Sequence, residues 1–425
     1  MDDPIPVTIV SGPLGAGKTT LLNHLLRTTD RRIAVLVNDM GELNVDAALL
    51  EEGSVAADAG IAELSNGCIC CELRDDLETE VVRLARSREF EHLVVESSGI
   101  SEPAPVAQLF TIGSDAAAVY EVDALVTVVD AASFESLFGD GPVERAETEG
   151  GPRPLSDLVI EGIECCDVLV LNKCDRVDGG SLDRIEATVR ELQPRARLLR
   201  TEFCEVDPEE VLGTERFDLG VMREMTAWKR ARERVTQHAK HGEENGHGEH
   251  ATEGAGSPGH EHDHDHGHDH RHPEEVYGVT SFVYRRRRPF DPGRFAALLE
   301  SLPPSVIRTK GTCWVAGRDE YAMVLSQVGP VTRVEAADEW IAAAHEIERE
   351  LYRENHPEMD WDEEVGDRRT ELVVIGREMD ESSVVAALDD CLLEGSAGPG
   401  DRSGVDPDAG AFPDTLDEHV EFLRA

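Results

Sequence analysis

The chain has 425 residues, of which 41 are Lys or Arg and 87 are Asp or Glu, for a formal net charge of −46. Such a field repels nucleic acid and anionic membrane surfaces and argues against both as general partners. No run of about 18 apolar residues offers a transmembrane helix.

Lysine is confined to Lys18, Lys173, Lys229, Lys240 and Lys310. An acid-rich, lysine-poor surface stays soluble and screened in concentrated salt, as in a salt-adapted cytoplasm. The start, MDDPIPVTIVSG, is acidic and leads straight into a strand. It lacks the basic and apolar segments of a secretory or transit peptide, so a cytoplasmic location is expected. Nine cysteines, an odd number, argue against a disulfide framework in such a chain.

In chain order, VTIVS (7–11) reads as a strand and the stretch near 17–28 as a helix. IAVLVN (33–38), HLVVES (92–97), ALVTVVD (124–130) and DVLVLNK (167–173) are further strands. Continuous apolar runs alternating with helical patterns predict an α/β fold with a mainly parallel sheet, to about residue 237. EGGPRPL (149–155) reads as a loop within it. Residues 238–273 hold eleven of the sixteen histidines and almost no large apolar side chain, so disorder is expected. A smaller α+β domain is expected over 274–394. Its strands are YGVTSFVYRRRR (277–288), GTCWVAG (311–317), YAMVLSQVG (321–329) and TELVVIG (370–376); its helices are PFDPGRFAALLESL (289–302) and SSVVAALDDCLL (382–393). The acidic, Pro/Gly-rich tail 395–425 is expected to be disordered.

Residues 12–19, GPLGAGKT, fit the pattern G-x-x-x-x-G-K-[ST] between a strand and a helix. The backbone from Gly12 through Gly15, Ala16 and Gly17 would cradle phosphate oxygens. Lys18 would reach the β- and γ-phosphates, Thr19 would hold Mg²⁺, and Thr20 continues the helix N-terminus. At 171–175, LNKCD closes an apolar strand. Asp175 can accept from N1–H and N2–H₂ of guanine, a donor pair that adenine lacks, so GTP is the expected nucleotide. Asn172 would brace the loop and the Lys173 stem would cover the base. Glu96, at the tip of HLVVES, is the candidate to position Mg²⁺ or the attacking water, with Gly99 approaching the γ-phosphate; a strand-capping role for Glu96 is the plainer reading.

NGCICC (66–71) puts Cys68, Cys70 and Cys71 within four positions. Thiolates are soft donors that suit Zn²⁺, or Co²⁺ and Cu(I) under other supply conditions, and three of them leave one tetrahedral position on the ion open, as a site that hands its ion over requires. Buried structural thiols, or a Cys68–Cys71 redox pair, are the other readings. Cys165, Cys166, Cys174, Cys204, Cys313 and Cys391 read as small core residues. In GHEHDHDHGHDHRH (259–272), His262, His264, His266, His268 and His270 would buffer Zn²⁺, Ni²⁺ or Co²⁺ loosely. RRRR (285–288) reads as a strand edge paired with the protein's own carboxylates.

GPLGAGKT, NDMGELNVD, GCICC, ESSGISEP and NKCD, in that order, resemble the CobW-like P-loop GTPases, relatives of UreG and HypB. RPFDPGRF, RTKGTCWVAG, GDRRTELVVIG and LDDCLL resemble that family's C-terminal domain. The resemblance covers roughly 5–235 and 276–393. It implies a GTP-hydrolysing metallochaperone that passes zinc or cobalt to a metal-dependent client protein, and it adds Glu42 as a cargo-metal ligand. Asn38-Asp39 departs from the family's usual Asn-Glu. A cobalt-insertion accessory factor for cobalamin synthesis and a non-catalytic metal buffer are the alternatives. Monomer and homodimer both remain open.

Overall fold

The computed structural model describes residues 4–37, 60–63, 78–79, 81–86, 89–97, 103–111, 113–139, 141–148, 151–224, 278–357, 359–393, 412–416 and 418–424.

The first sheet contains β1 (Ile5–Ser11), β2 (Ile33–Val37), β3 (Gly60–Glu63), β4 (His92–Glu96), β5 (Tyr120–Asp130), β8 (Val168–Asn172) and β9 (Arg197–Arg200). Their order is β3-β2-β4-β1-β5-β8-β9, and every pairing is parallel. β4 and β8 are buried along their whole length, which is why they read as unbroken apolar runs. Two strands escape that pattern. β3 is four residues long, and β9 is Arg-Leu-Leu-Arg. A short hairpin, β6 (Arg145–Thr148) with β7 (Gly151–Pro154), replaces the loop expected at 149–155.

Helices flank the sheet. α1 (Lys18–Thr28) buries Leu21, Leu22 and Leu25, neighbours at helical spacing. α2 (Pro103–Leu109), α3 (Ala131–Phe134), α4 (Leu155–Cys165), α5 (Gly179–Leu192) and α6 (Leu219–Glu224) follow. A C-terminal antiparallel sheet has the order β10-β14-β11-β12-β13-β15: β10 (Val279–Arg286), β11 (Val306–Cys313), β12 (Tyr321–Val328), β13 (Val331–Glu339), β14 (Thr370–Arg377) and β15 (His419–Leu423). With it go α7 (Pro292–Leu299), α8 (Glu346–Asn355) and α9 (Glu381–Asp390). Asp291 and Asp380 cap α7 and α9 by accepting from Arg294 N and Ser383 N.

The tail corrects the sequence reading. Residues 419–423 form β15, which pairs with β13. Phe412 and Phe422 are buried, with Phe412 5.8 Å from Phe295 and 5.3 Å from Phe422 between ring centroids. Composition pointed to disorder because two aromatic anchors are diluted among Gly, Pro and Asp. The two sheets also share a core: Val279, Ile307, Val328 and Ile375 of the second pack in one cluster with Val129, Leu169 and Leu171 of the first.

RRRR lies where strand pairing placed it. Arg285 meets Glu371 at 2.9 Å, Arg286 meets Asp389 at 2.8 Å and Arg287 meets Asp360 at 2.6 Å, while Arg288 donates to the Leu393 carbonyl. Of the cysteines read as core residues, Cys165, Cys166, Cys204, Cys313 and Cys391 are buried, Cys174 is half-buried, and all are free thiols.

Candidate nucleotide site

β1 ends at Ser11, and the chain turns through 12–17 into α1. Gly12 takes φ +134° and lies so close to β5 that a Cβ would overlap the Val128 carbonyl oxygen. Gly17, at φ +118°, precedes α1, and a Cβ there would overlap the Asn172 side-chain amide. Both glycines are therefore required by backbone conformation and by a close neighbour. Lys18 is buried. Its Nζ donates to Gly12 O at 3.0 Å and Pro13 O at 3.4 Å, and lies 3.9 Å from Glu96 Oε1. Thr19 follows in the first turn of α1, which contains no acidic residue, and Thr20 is exposed. The lysine and the helix N-terminus thus make a local positive region in a strongly acidic chain.

β8 supplies the second loop. Asn172, 2 % exposed, donates from Nδ2 to Ala16 O at 2.9 Å. Its Oδ1 accepts from Cys204 N at 2.9 Å and from the Thr201 hydroxyl at 3.2 Å. Lys173 adopts a left-handed φ of +59°. Its Nζ donates to Gly15 O at 2.6 Å and pairs with Asp130 Oδ2 at 2.7 Å. Cys204 Sγ donates to Gly17 O at 3.3 Å. Burial pushes its thiol up to about 12, against the pull of Lys173, so it remains a neutral donor. Asp175 is exposed in the short turn Cys174–Arg176. Two loops from strand ends on either side of β5 are thus held by one asparagine, one lysine and one thiol.

Gly12, Gly15, Ala16, Gly17, Lys18, Glu96, Asn172 and Lys173 are brought together by these contacts. Gly99, Glu42, Cys68, Cys70, Cys71, His262, His264, His266, His268 and His270 lie outside the described residues. Among the described residues no group of three or more His, Cys, Asp or Glu side chains is arranged to hold a metal ion, and no helix is long and apolar enough to cross a membrane. Sequence reading missed Asp130 and Thr201, and took Cys204 only as a core residue. Asp130 carried a signal: like Glu96, it is an acidic residue ending an apolar strand. Thr201 and Cys204 carried none, because β9 is too short and too charged to read as a strand.

A phosphate loop between a central parallel strand and a helix, braced by the Asn172–Lys173 loop two strands away, defines a P-loop nucleotide-binding protein. Residues 6–200 match the CobW/HypB/UreG nucleotide-binding domain, and residues 279–392 match the cobalamin synthesis protein cobW C-terminal domain. The chain belongs to the CobW/HypB/UreG family and is a GTPase. It is 33 % identical over 415 residues to zinc-regulated GTPase metalloprotein activator 1 of Dictyostelium discoideum, covering 92 % of this chain and 80 % of that protein. It is 34 % identical over 206 residues to the zinc chaperone CobW of Pseudomonas aeruginosa, covering 45 % of this chain and 55 % of that one. To the zinc chaperone CobW of a Sinorhizobium species it is 32 % identical over 256 residues, 58 % of this chain and 71 % of that one.

Proposed function

We propose that this chain is a GTP-dependent metallochaperone which holds zinc through Cys68, Cys70 and Cys71 and passes it to a metal-dependent client protein in the cytoplasm. The observation that carries the reading is where β3, the last described element before the cysteine motif, ends. β3 ends at Glu63, whose register partner is Val37 of β2, and Val37 in turn pairs with Glu96. Parallel strands about 4.8 Å apart put Glu63 roughly 10 Å from Glu96. Cys68 follows five residues later, a reach of at most about 17 Å. Glu63, the last described residue before the motif, therefore lies at the edge of the sheet that carries the phosphate loop, where γ-phosphate contacts order the connecting loops of GTPases.

The nucleotide chemistry follows from the residues in place. Lys18, now bonded to the loop carbonyls, carries the charge that would meet the β- and γ-phosphates. Asn172 keeps the phosphate and base loops in register, and Asp175 selects guanine by its two acceptor oxygens. Thr19 and Glu96 offer hard oxygen donors, the set that Mg²⁺ takes, and the ion would neutralise charge on the phosphates. Three thiolates are a soft set that suits zinc. The many imidazoles from His262 to His270 would collect ions for that site.

Elemental analysis tests the assignment. Cys70→Ser should lose the zinc that survives dialysis against a weak chelator, while Lys18→Ala should keep that zinc and lose single-turnover GTP hydrolysis. Retention of tight zinc by Cys70→Ser would contradict it.

A further inference from the structure

Phe203 stands out on two counts. It is 69 % exposed, in a protein whose other large rings mostly pack into cores. It also has a left-handed backbone, φ +55°, as does the next residue, Cys204, φ +55°. Glu205 N donates to Glu202 O at 3.1 Å, closing a tight turn around the pair. Turns with both central residues at positive φ normally use Asn, Asp or Gly, because a Cβ is crowded there. Here the pair is a phenylalanine and a cysteine.

The surroundings enforce that conformation. Cys204 is locked on one side to Asn172 Oδ1 and on the other to Gly17 O. Thr201 N donates to Leu171 O at 2.9 Å, and Cys174 N donates back to Thr201 O at 3.1 Å. The turn is thus bonded to the residues immediately before and after Lys173, and Asp175 is next along the chain. Unfavourable backbone held in place by its neighbours is a recurrent feature of binding sites. A base read along its edge by a carboxylate still has two apolar faces to cover. The Lys173 stem runs from β8 across to Gly15 and Asp130.

We infer that Phe203 is a base-binding residue, its ring packing against the face of the guanine whose edge Asp175 reads. This rests on the proposed guanine reading. Stacking is tolerant of base identity and blind to the phosphates. Phe203 therefore sets affinity, and Asp175 sets selectivity.

Phe203→Gly separates the ring from the strain. Glycine is at ease at φ +55°, so the melting temperature without nucleotide should hold or rise. Affinities for GDP and for a non-hydrolysable GTP analogue, by titration calorimetry, should both fall by the same factor, roughly five- to a hundredfold. Phe203→Trp should bind as tightly as the parent chain, and its indole fluorescence should be quenched by GDP. GDP affinity within twofold of the parent in Phe203→Gly, or an indole that does not respond to GDP, would overturn the inference, as would loss of client binding with nucleotide affinity intact. Asp175→Asn distinguishes the two readings: it should move preference from guanine towards xanthine nucleotides. If it does so while Phe203→Gly binds normally, only the role of Phe203 fails; if guanine preference is unchanged, the guanine reading itself fails.

Discussion

A buried histidine and a half-buried aspartate at the N-terminal ends of the parallel strands pull the stability of the protein in opposite directions with pH. His92 is fully buried, its Nε2 2.8 Å from the Thr8 hydroxyl and 3.8 Å from Asp123. Burial, with some repulsion from Arg31, outweighs Asp123 and lowers it to about 4. The unfolded chain then takes up a proton below about 6.5 while the folded chain does not, so stability is lost as pH falls from about 6.5 to 4. Asp167, which accepts from Leu125 N at 2.8 Å, is raised by burial to about 6. Its term has the other sign: it lowers stability above pH 6 and relaxes as pH falls from 6 towards 3.8. Each shift corresponds to about 3 kcal/mol, so the two nearly cancel. Asp167→Asn keeps an acceptor for Leu125 N and removes one term. We expect its urea midpoint to exceed the parent's at pH 7 and to fall more steeply between pH 6.5 and 4; parallel profiles for the two proteins would refute this. At this scale the sequence was legible where chemistry is local. Gly12, Gly17 and Lys18 sit in one motif. Thr8, His92 and Asp123 did not stand out, because their meeting depends on β1, β4 and β5 lying side by side.

α4 carries the strongest link between the two sheets. Glu164, near its end, accepts from Arg308 of β11 at 2.9 and 3.2 Å and pairs with Lys310 at 3.1 Å. Burial would raise Glu164, but the charges of Arg308 and Lys310 outweigh it and hold the carboxyl below its usual range. Arg308 also donates to Ser326 Oγ at 2.8 Å, and that hydroxyl donates to Asp157 at the start of α4. The same helix touches the nucleotide strands, since Thr127 of β5 donates to Gly162 O at 2.9 Å and lies 2.9 Å from Ser11. Glu164→Gln removes the nearest counter-charge of buried Arg308 and half-buried Lys310, leaving Arg308 only the longer Asp157 pair at 3.9 Å, and should cost about 3 kcal/mol by chemical denaturation. Replacing the pair together, Glu164→Leu with Arg308→Met, should recover most of it; a single substitution costing under about 1 kcal/mol would show the link to be weak. At the scale of elements, the long apolar strands and capped helices could be read directly. β13 could not, because Thr332, Arg333 and Glu335 interrupt its apolar residues. β15 could not either, because its five residues have β13, some eighty positions earlier, as their partner.

At the scale of the whole molecule, the phosphate loop, the base loop and the C-terminal sheet form one packed body among the described residues. Asp130, which pairs with Lys173, caps α3 by accepting from Ala132 N at 2.9 Å. Glu135, just after α3, pairs with Arg377 of β14, whose guanidinium also lies over the Phe138 ring. A change at the Lys173 loop therefore has a continuous route of contacts to the second sheet, and β3, the last described strand before the cysteine motif, ends two strands away from Glu96. Metal and nucleotide are then expected to be thermodynamically linked. The measurement that tests this most directly is the zinc affinity of the purified protein with and without a saturating non-hydrolysable GTP analogue. Coupling between such sites is typically about 5- to 150-fold, and the two affinities should differ by a factor in that range. Equal affinities would contradict the account.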